Sequence, residues 1–212
     1  MCGRYVLVTD LSVIAEEFEV DMAAAAYCGY APAWSLFPGQ PITCVIRKEE
    51  RNELVCLHWG LIPSWAKDPA IGRTLNCARA ETIAAKPSFR SAFKKRRCLI
   101  VADGFYEWKT EGKKKSPAYF HLKSGRPFGF AGLYETWHGP DKTEVRSCAM
   151  ITTEPNALLQ PIHDRMPVIV PKDREHVWLD DKTEDPNILL SILKPYPAEA
   201  MDIKWGLGPA FA

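Results

Sequence analysis

"CLIVADGFYEWKTEGKKKSPAYFHL", residues 98–122, decides the fold. Its first five residues form an unbroken apolar run of strand length, which suits a strand buried on both faces. The remainder alternates about a polar, Gly-containing turn, the pattern of a β-hairpin. Working outward, "PSFRSAFKKRR" (87–97) sets Phe89, Ala92 and Phe93 on one face of a short amphipathic helix that feeds the apolar strand. Before it, "ITCVIRK" and "ELVCLHWG", separated by the polar "EERN", predict a second hairpin. After it, "PFGFAGLYETW", "VRSCAMITTEP" and "MPVIVP" predict further strands. Near the start, "TDLSVIAEEFEV" (9–20) spaces Leu11, Ile14, Ala15 and Phe18 along one helical face, with Thr9 or Asp10 as cap. "CGYAPAWSLFPGQP" (28–41) is rich in Pro and Gly and predicts an irregular loop over the core, as does the first half of "GLIPSWAKDPAIGRTLNCARAET" (60–82). "DREHVWLD" and "DPNILLSILKPYP" predict late helices, the second stopped by proline. The expectation is an α+β fold: an antiparallel, barrel-like β core flanked by short helices, in a single domain over residues 1–212.

Composition narrows the function. The longest apolar run near the middle, "CLIVA", is far too short to span a bilayer, and no basic stretch leads into an apolar segment at the start, so a cytoplasmic protein without membrane contact is expected. The seven cysteines include no CxxC pair, which suggests neither a disulfide framework nor a zinc knuckle; neither a metal nor a cofactor is expected. Lys and Arg total 27 against 26 Asp and Glu, a balance that argues against coating duplex DNA by charge alone. The basic runs "FRSAFKKRR" and "GKKK" read as a solvated helix face and a charged hairpin tip.

The chemistry begins at "MCGR". Cys2 behind a removable Met1 would carry both a free thiol and a free α-amine. With reference pKa values of roughly 8 and 8.5, either group becomes nucleophilic near neutral pH after a modest shift. The amine can condense with an aldehyde to an imine, and the tethered thiol can then close a thiazolidine ring at high effective concentration. Such a reaction needs a base, an acid and an orienting amide. Glu107, His163 and Asn76 supply one of each, although singly each has an ordinary reading: an outward strand residue, a hydrogen-bonded core histidine and a turn former.

Four stretches, "MCGR", "LNCARAET", "VADGFYEWK" and "PIHDRMPVIV", resemble in order the motif set of the SRAP family of abasic-site processing proteins. The resemblance implies a protein that recognises an abasic site in single-stranded DNA, crosslinks to its ring-opened sugar through Cys2, and shields the lesion from strand cleavage. It assigns Cys2 as nucleophile, Asn76 to position it and the sugar, Glu107 to handle protons near the amine, and His163 to assist ring opening. Arg4 and Arg79 would bind flanking phosphates, and Trp65 is the candidate on which an unpaired base stacks. Trp59 and Trp108 are expected in or beside the core. The implied partner is single-stranded DNA bearing abasic sites, bound by a monomer that is nucleoid-associated when on DNA. An autoproteolytic activity is also implied, though with only Met1 ahead of Cys2 methionine trimming suffices. The loop after the first helix departs from the family pattern, with Ser35 where the family carries Asn. Two other classes compete: a class II glutamine amidotransferase, which shares the N-terminal Cys but whose Asn-Gly pair is absent here, and a non-catalytic single-strand binder in which Cys2 is incidental.

Overall fold

The computed structural model describes residues 3–21 and 29–206. In chain order the strands and helices are β1 (Tyr5–Leu7), α1 (Leu11–Glu17), β2 (Ala33–Leu36), β3 (Pro41–Lys48), β4 (Arg51–Trp59), β5 (Cys77–Arg79), α2 (Arg90–Lys95) and β6 (Arg97–Ala102). They continue as β7 (Gly104–Glu111), β8 (Lys114–Leu122), β9 (Phe128–His138), β10 (Glu144–Thr153), β11 (Met166–Pro167), α3 (Glu175–Leu179), α4 (Pro186–Ile192) and β12 (Met201–Trp205).

Five strands close on themselves in the order β10-β4-β3-β6-β9, with β9 returning to pair with β10. Closure removes the free edges that an open sheet would expose. The "CLIVA" run lies in β6, buried along its whole length between β3 and β9. The barrel is antiparallel except where β10 runs parallel to β4. A second sheet, ordered β12-β8-β7-β1-β2, is antiparallel throughout. Its inner face packs on the barrel through aromatic rings: Tyr5 meets Trp59 at 5.5 Å and Phe130 at 6.0 Å, while Phe105 stacks on Phe120 at 5.2 Å and meets Phe130 at 5.8 Å. Short helices flank these sheets, so the α+β, barrel-like expectation holds.

Both predicted hairpins form, with different turns. The β3–β4 connection has Glu49 and Glu50 at φ 48° and 66°, although neither is the Gly or Asn that such a turn favours. Lys182 holds Glu50 by an ion pair of 2.8 Å. Gly112, at φ 60°, turns β7 into β8.

Three expectations need correction, and one strand was not expected. The predicted loop over residues 28–41 contains β2, because β1 has an open edge there and Leu36 and Ala33 fit opposite Tyr5 and Leu7. "MPVIVP" forms only the two-residue β11 and a bridge from Ile169 to Phe130, since it passes from β10, where Val168 N–H donates to Ile151 O at 2.9 Å, onto β9, where Val170 N–H donates to Gly129 O at 3.0 Å. The C-terminal β12 was not anticipated; it pairs along β8 from Met201–Leu122 to Trp205–Ala118. Finally, the basic run ending α2 is not wholly a solvated face. Arg97 is 2% exposed and donates to the carbonyls of Trp178 (2.6 Å), Phe93 (2.9 Å), Thr183 (3.1 Å), Lys94 and Asp180, riveting α2 to α3 and the segment beyond it. Arg96 pairs with Glu135 at 2.8 Å, while Arg90, Lys94 and Lys95 are exposed as expected.

Candidate active site

Three separate strand pairings position the candidate residues. The first is β1 on β7. Tyr5 and Val6 lie opposite Phe105 and Gly104, and the Tyr106 N–H donates to Arg4 O at 2.9 Å. Continuing this register places Gly3 opposite Glu107. Side chains alternate along a strand, so Glu107 shares the inward face with Phe105. Glu107 is therefore an inward residue, 3% exposed, and not the outward one of its ordinary reading.

The other two pairings use opposite edges of the end of β10. On one side β5 runs parallel to it, Cys77 beside Met150 and Arg79 beside Thr152. Asn76, the residue before β5, is fixed through its carbonyl, which accepts from Met150 N–H at 3.0 Å and from the Trp59 indole at 2.9 Å. On the other side, β11 pairs Met166 and Pro167 with Thr153 and Thr152. The turn just before β11 carries His163.

His163 Nε2 lies 3.8 Å from Glu107 Oε2, too long for a direct hydrogen bond but within ion-pair range. Burial pushes the Glu107 carboxyl up to about 7. Its Oε1 is buried and, among the described residues, has no hydrogen-bond partner. Such an atom is costly to keep unless a ligand or water completes it. Burial also pulls the His163 imidazole below its ordinary value, against the opposing influence of Asp164. A carboxyl raised and an imidazole lowered leave both groups able to exchange protons near neutral pH, which is what paired acid–base work requires. The neighbouring Cys77 thiol is pushed up to about 12, first by burial and also by Glu107, so it stays protonated and is no nucleophile. Among the described residues, no group of His, Cys, Asp and Glu is placed to hold a metal ion.

The remaining predicted residues surround this pair at different distances from the chemistry. Arg4 leaves β1 on the opposite face from Glu107, with its guanidinium 5.6 Å from the centre of the Trp108 ring. Arg79 ends β5 and is exposed. Trp65 is 58% exposed on a loop whose next residue, Ala66, is held by the Trp137 indole at 2.7 Å. Trp59 is fully buried and Trp108 half-buried, as expected. Ser35 sits within β2. Cys2 lies outside the described residues.

Sequence reading missed Arg165 and Glu81. The Arg165 guanidinium grips Glu81 with two hydrogen bonds, 2.7 and 3.0 Å, and also donates to Thr152 O at 2.7 Å. Both residues lie inside quoted motifs, "PIHDRMPVIV" and "LNCARAET", and their opposite charges were the available signal.

A closed mixed barrel with a second antiparallel sheet against it, which carries a buried glutamate facing a half-buried histidine, defines the class of protein. The fold matches that of a crystallographically determined protein from Bacteroides thetaiotaomicron with a TM-score of 0.83 and 27% identity, covering 96% of this chain and 91% of the other. In sequence, the chain is 45% identical over 203 residues to the abasic site processing protein YoqW of Bacillus subtilis, covering 95% of this chain and 90% of that protein. It is 28% identical over 188 residues to the abasic site processing protein YedK of Escherichia coli, covering 84% and 79% respectively. The family described as SOS response associated peptidase (SRAP) matches residues 1–206, and the chain belongs to that family.

Proposed function

We propose that this protein processes abasic sites in single-stranded DNA by trapping the ring-opened sugar covalently on Cys2. The observation that carries the reading is the buried Glu107 carboxyl, 3.8 Å from His163, on the strand that pairs with β1. The names of the Bacillus and Escherichia relatives supply the substrate class.

The abasic sugar is a hemiacetal in equilibrium with its aldehyde. His163 assists opening by moving the proton between the hydroxyl on the first carbon and the ring oxygen. The Cys2 amine adds to the aldehyde carbon to form a carbinolamine, and protonation of its hydroxyl by Glu107 releases water and leaves the imine. The thiol then adds to the imine carbon while its proton passes to the nitrogen, closing the thiazolidine. One water is lost overall, with no oxidation or reduction. Asn76 orients the amine and the sugar. The imine alone is an electron sink that promotes elimination of the 3′ phosphate, and sulfur capture removes that sink, so the product shields the strand.

The proposed DNA contacts use three side chains. Arg79 and Arg4 offer charge to flanking phosphates, and Trp65 offers a face for an unpaired base, a contact worth about 1–3 kcal/mol. Near-neutral overall charge suits a short footprint. The test is to mix the Met-trimmed protein with abasic single-stranded DNA and resolve the products on a denaturing gel. A band that survives denaturant and disappears in Cys2→Ser is expected. Wild-type protein that binds the strand without leaving such a band overturns the proposal, and ammonia release from glutamine without adduct would favour the amidotransferase class.

A further inference from the structure

Glu81 stands on the turn after β5, five residues beyond Asn76. Its carboxylate faces the guanidinium of Arg165 in a fork, Oε1 to Nη1 at 2.7 Å and Oε2 to Nη2 at 3.0 Å. The two side chains differ in exposure, 14% for Arg165 and 50% for Glu81. The fork thus lies against the protein on the arginine side and opens to solvent on the other. Arg165 Nη2 also donates to Thr152 O at the end of β10. Glu81, Arg165 and Thr152 together pin the turn that bears His163 against both β5 and β10.

That pin reaches the imidazole through the backbone. Arg165 N–H donates to His163 Nδ1 at 3.0 Å, while Arg165 O lies 3.1 Å and Asp164 Oδ1 3.1 Å from the same nitrogen. Nδ1 therefore faces one donor and two acceptors. A slight shift of the Arg165 backbone decides which of them it engages, and hence whether the ring proton sits on Nδ1 or on the Nε2 that faces Glu107. A bidentate arginine–carboxylate pair constrains orientation as well as distance, which an isolated surface ion pair does not.

We propose that Glu81 is a positioning residue: by clamping Arg165 it fixes the His163 ring, its tautomer and its approach to Glu107. This rests on the proposed crosslinking chemistry for its kinetic consequence, but not for its structural one. Glu81→Ala is expected to slow adduct formation at saturating DNA by about tenfold or more, the scale of small misplacements of reacting groups. Affinity for the undamaged strand should not fall. Glu81→Gln, which keeps one acceptor of the fork, should recover most of the rate.

The experiment has a second arm that needs no reaction. Nitrogen chemical shifts of the His163 ring, read by long-range proton–nitrogen NMR, report the tautomer directly. A single tautomer is expected in the wild type and a changed ratio in Glu81→Ala. Adduct rates within about twofold of wild type, or unchanged His163 shifts in a folded Glu81→Ala, overturn the assignment. Should wild-type protein form no adduct at all, the proposed function fails, and the ring shifts alone decide the role of Glu81.

Discussion

At the residue scale, Glu107 determines most of what the site can do, and its burial has a measurable price in stability. Its carboxyl titrates near 7 in the folded protein against an ordinary value of 4.5. Between those two pH values the folded state binds more protons than the unfolded state, so stability falls as pH rises through the window. The difference amounts to at most about 3 kcal/mol above pH 7. Glu107→Gln removes the ionisable group while keeping the shape. It should raise the unfolding free energy at pH 8, flatten the pH dependence between 5 and 7 as followed by chemical denaturation, and slow adduct formation. A Gln variant no more stable at pH 8 than the wild type would contradict the burial argument. His163→Ala should reduce the crosslinking rate by about tenfold or more with little change in DNA affinity, since an acid–base group acts on the chemical step. Equal losses in rate and affinity would mark the histidine as structural.

At the scale of single elements, the periodic strands were legible and the exceptions had physical causes. The run in β6 and the alternation through β7 and β8 could be read directly because their burial follows a simple period. Glu107 could not be placed on the buried face by periodicity alone, since both Phe105 and Tyr106 in the same strand are buried and the polar residue breaks neither pattern. Arg97 looked like one more surface charge in a basic run, and only the carbonyls converging from α2, α3 and beyond reveal it as internal. Replacing Arg97 with Ala leaves those carbonyls unsatisfied and should destabilise the fold by about 3 kcal/mol or more, measured by denaturant melts. Gly104, at the start of β7, is a second sensitive point. A Cβ there would sit 2.4 Å from Tyr119 Oη and 2.6 Å from Phe120 O, so Gly104→Ala must push β7 away from β8. Because the same strand carries Glu107, that variant should lose stability and crosslinking together. Trp65 is exposed on a loop held beside it by the Trp137 indole, and Trp65→Ala should weaken single-strand affinity by about 1–3 kcal/mol with the adduct rate retained at saturating DNA.

At the scale of the whole molecule, the site exists because distant segments meet. His163, on the turn before β11, comes within 3.8 Å of Glu107, Asn76 is held at the other edge of β10 beside β5, and β1 is laid along β7, which carries Glu107. The four motifs were visible in the sequence as an ordered set, but the convergence depends on barrel closure and on the parallel contacts of β10 with β4 and β5, which no local pattern encodes. Long-range pairing of this kind also explains why β2 and β12 escaped notice and why β11 is shorter than its apolar run predicts: each is a strand only where a partner edge is present. The account joins at Cys2, and intact-mass spectrometry of the purified protein before and after incubation with abasic single-stranded DNA tests it most directly. The expected spectrum shows a protein without Met1 that gains the mass of one DNA strand less one water, and no such gain after Cys2→Ser. A trimmed wild-type protein whose mass does not change, or a Cys2→Ser variant that gains the same mass, would contradict it.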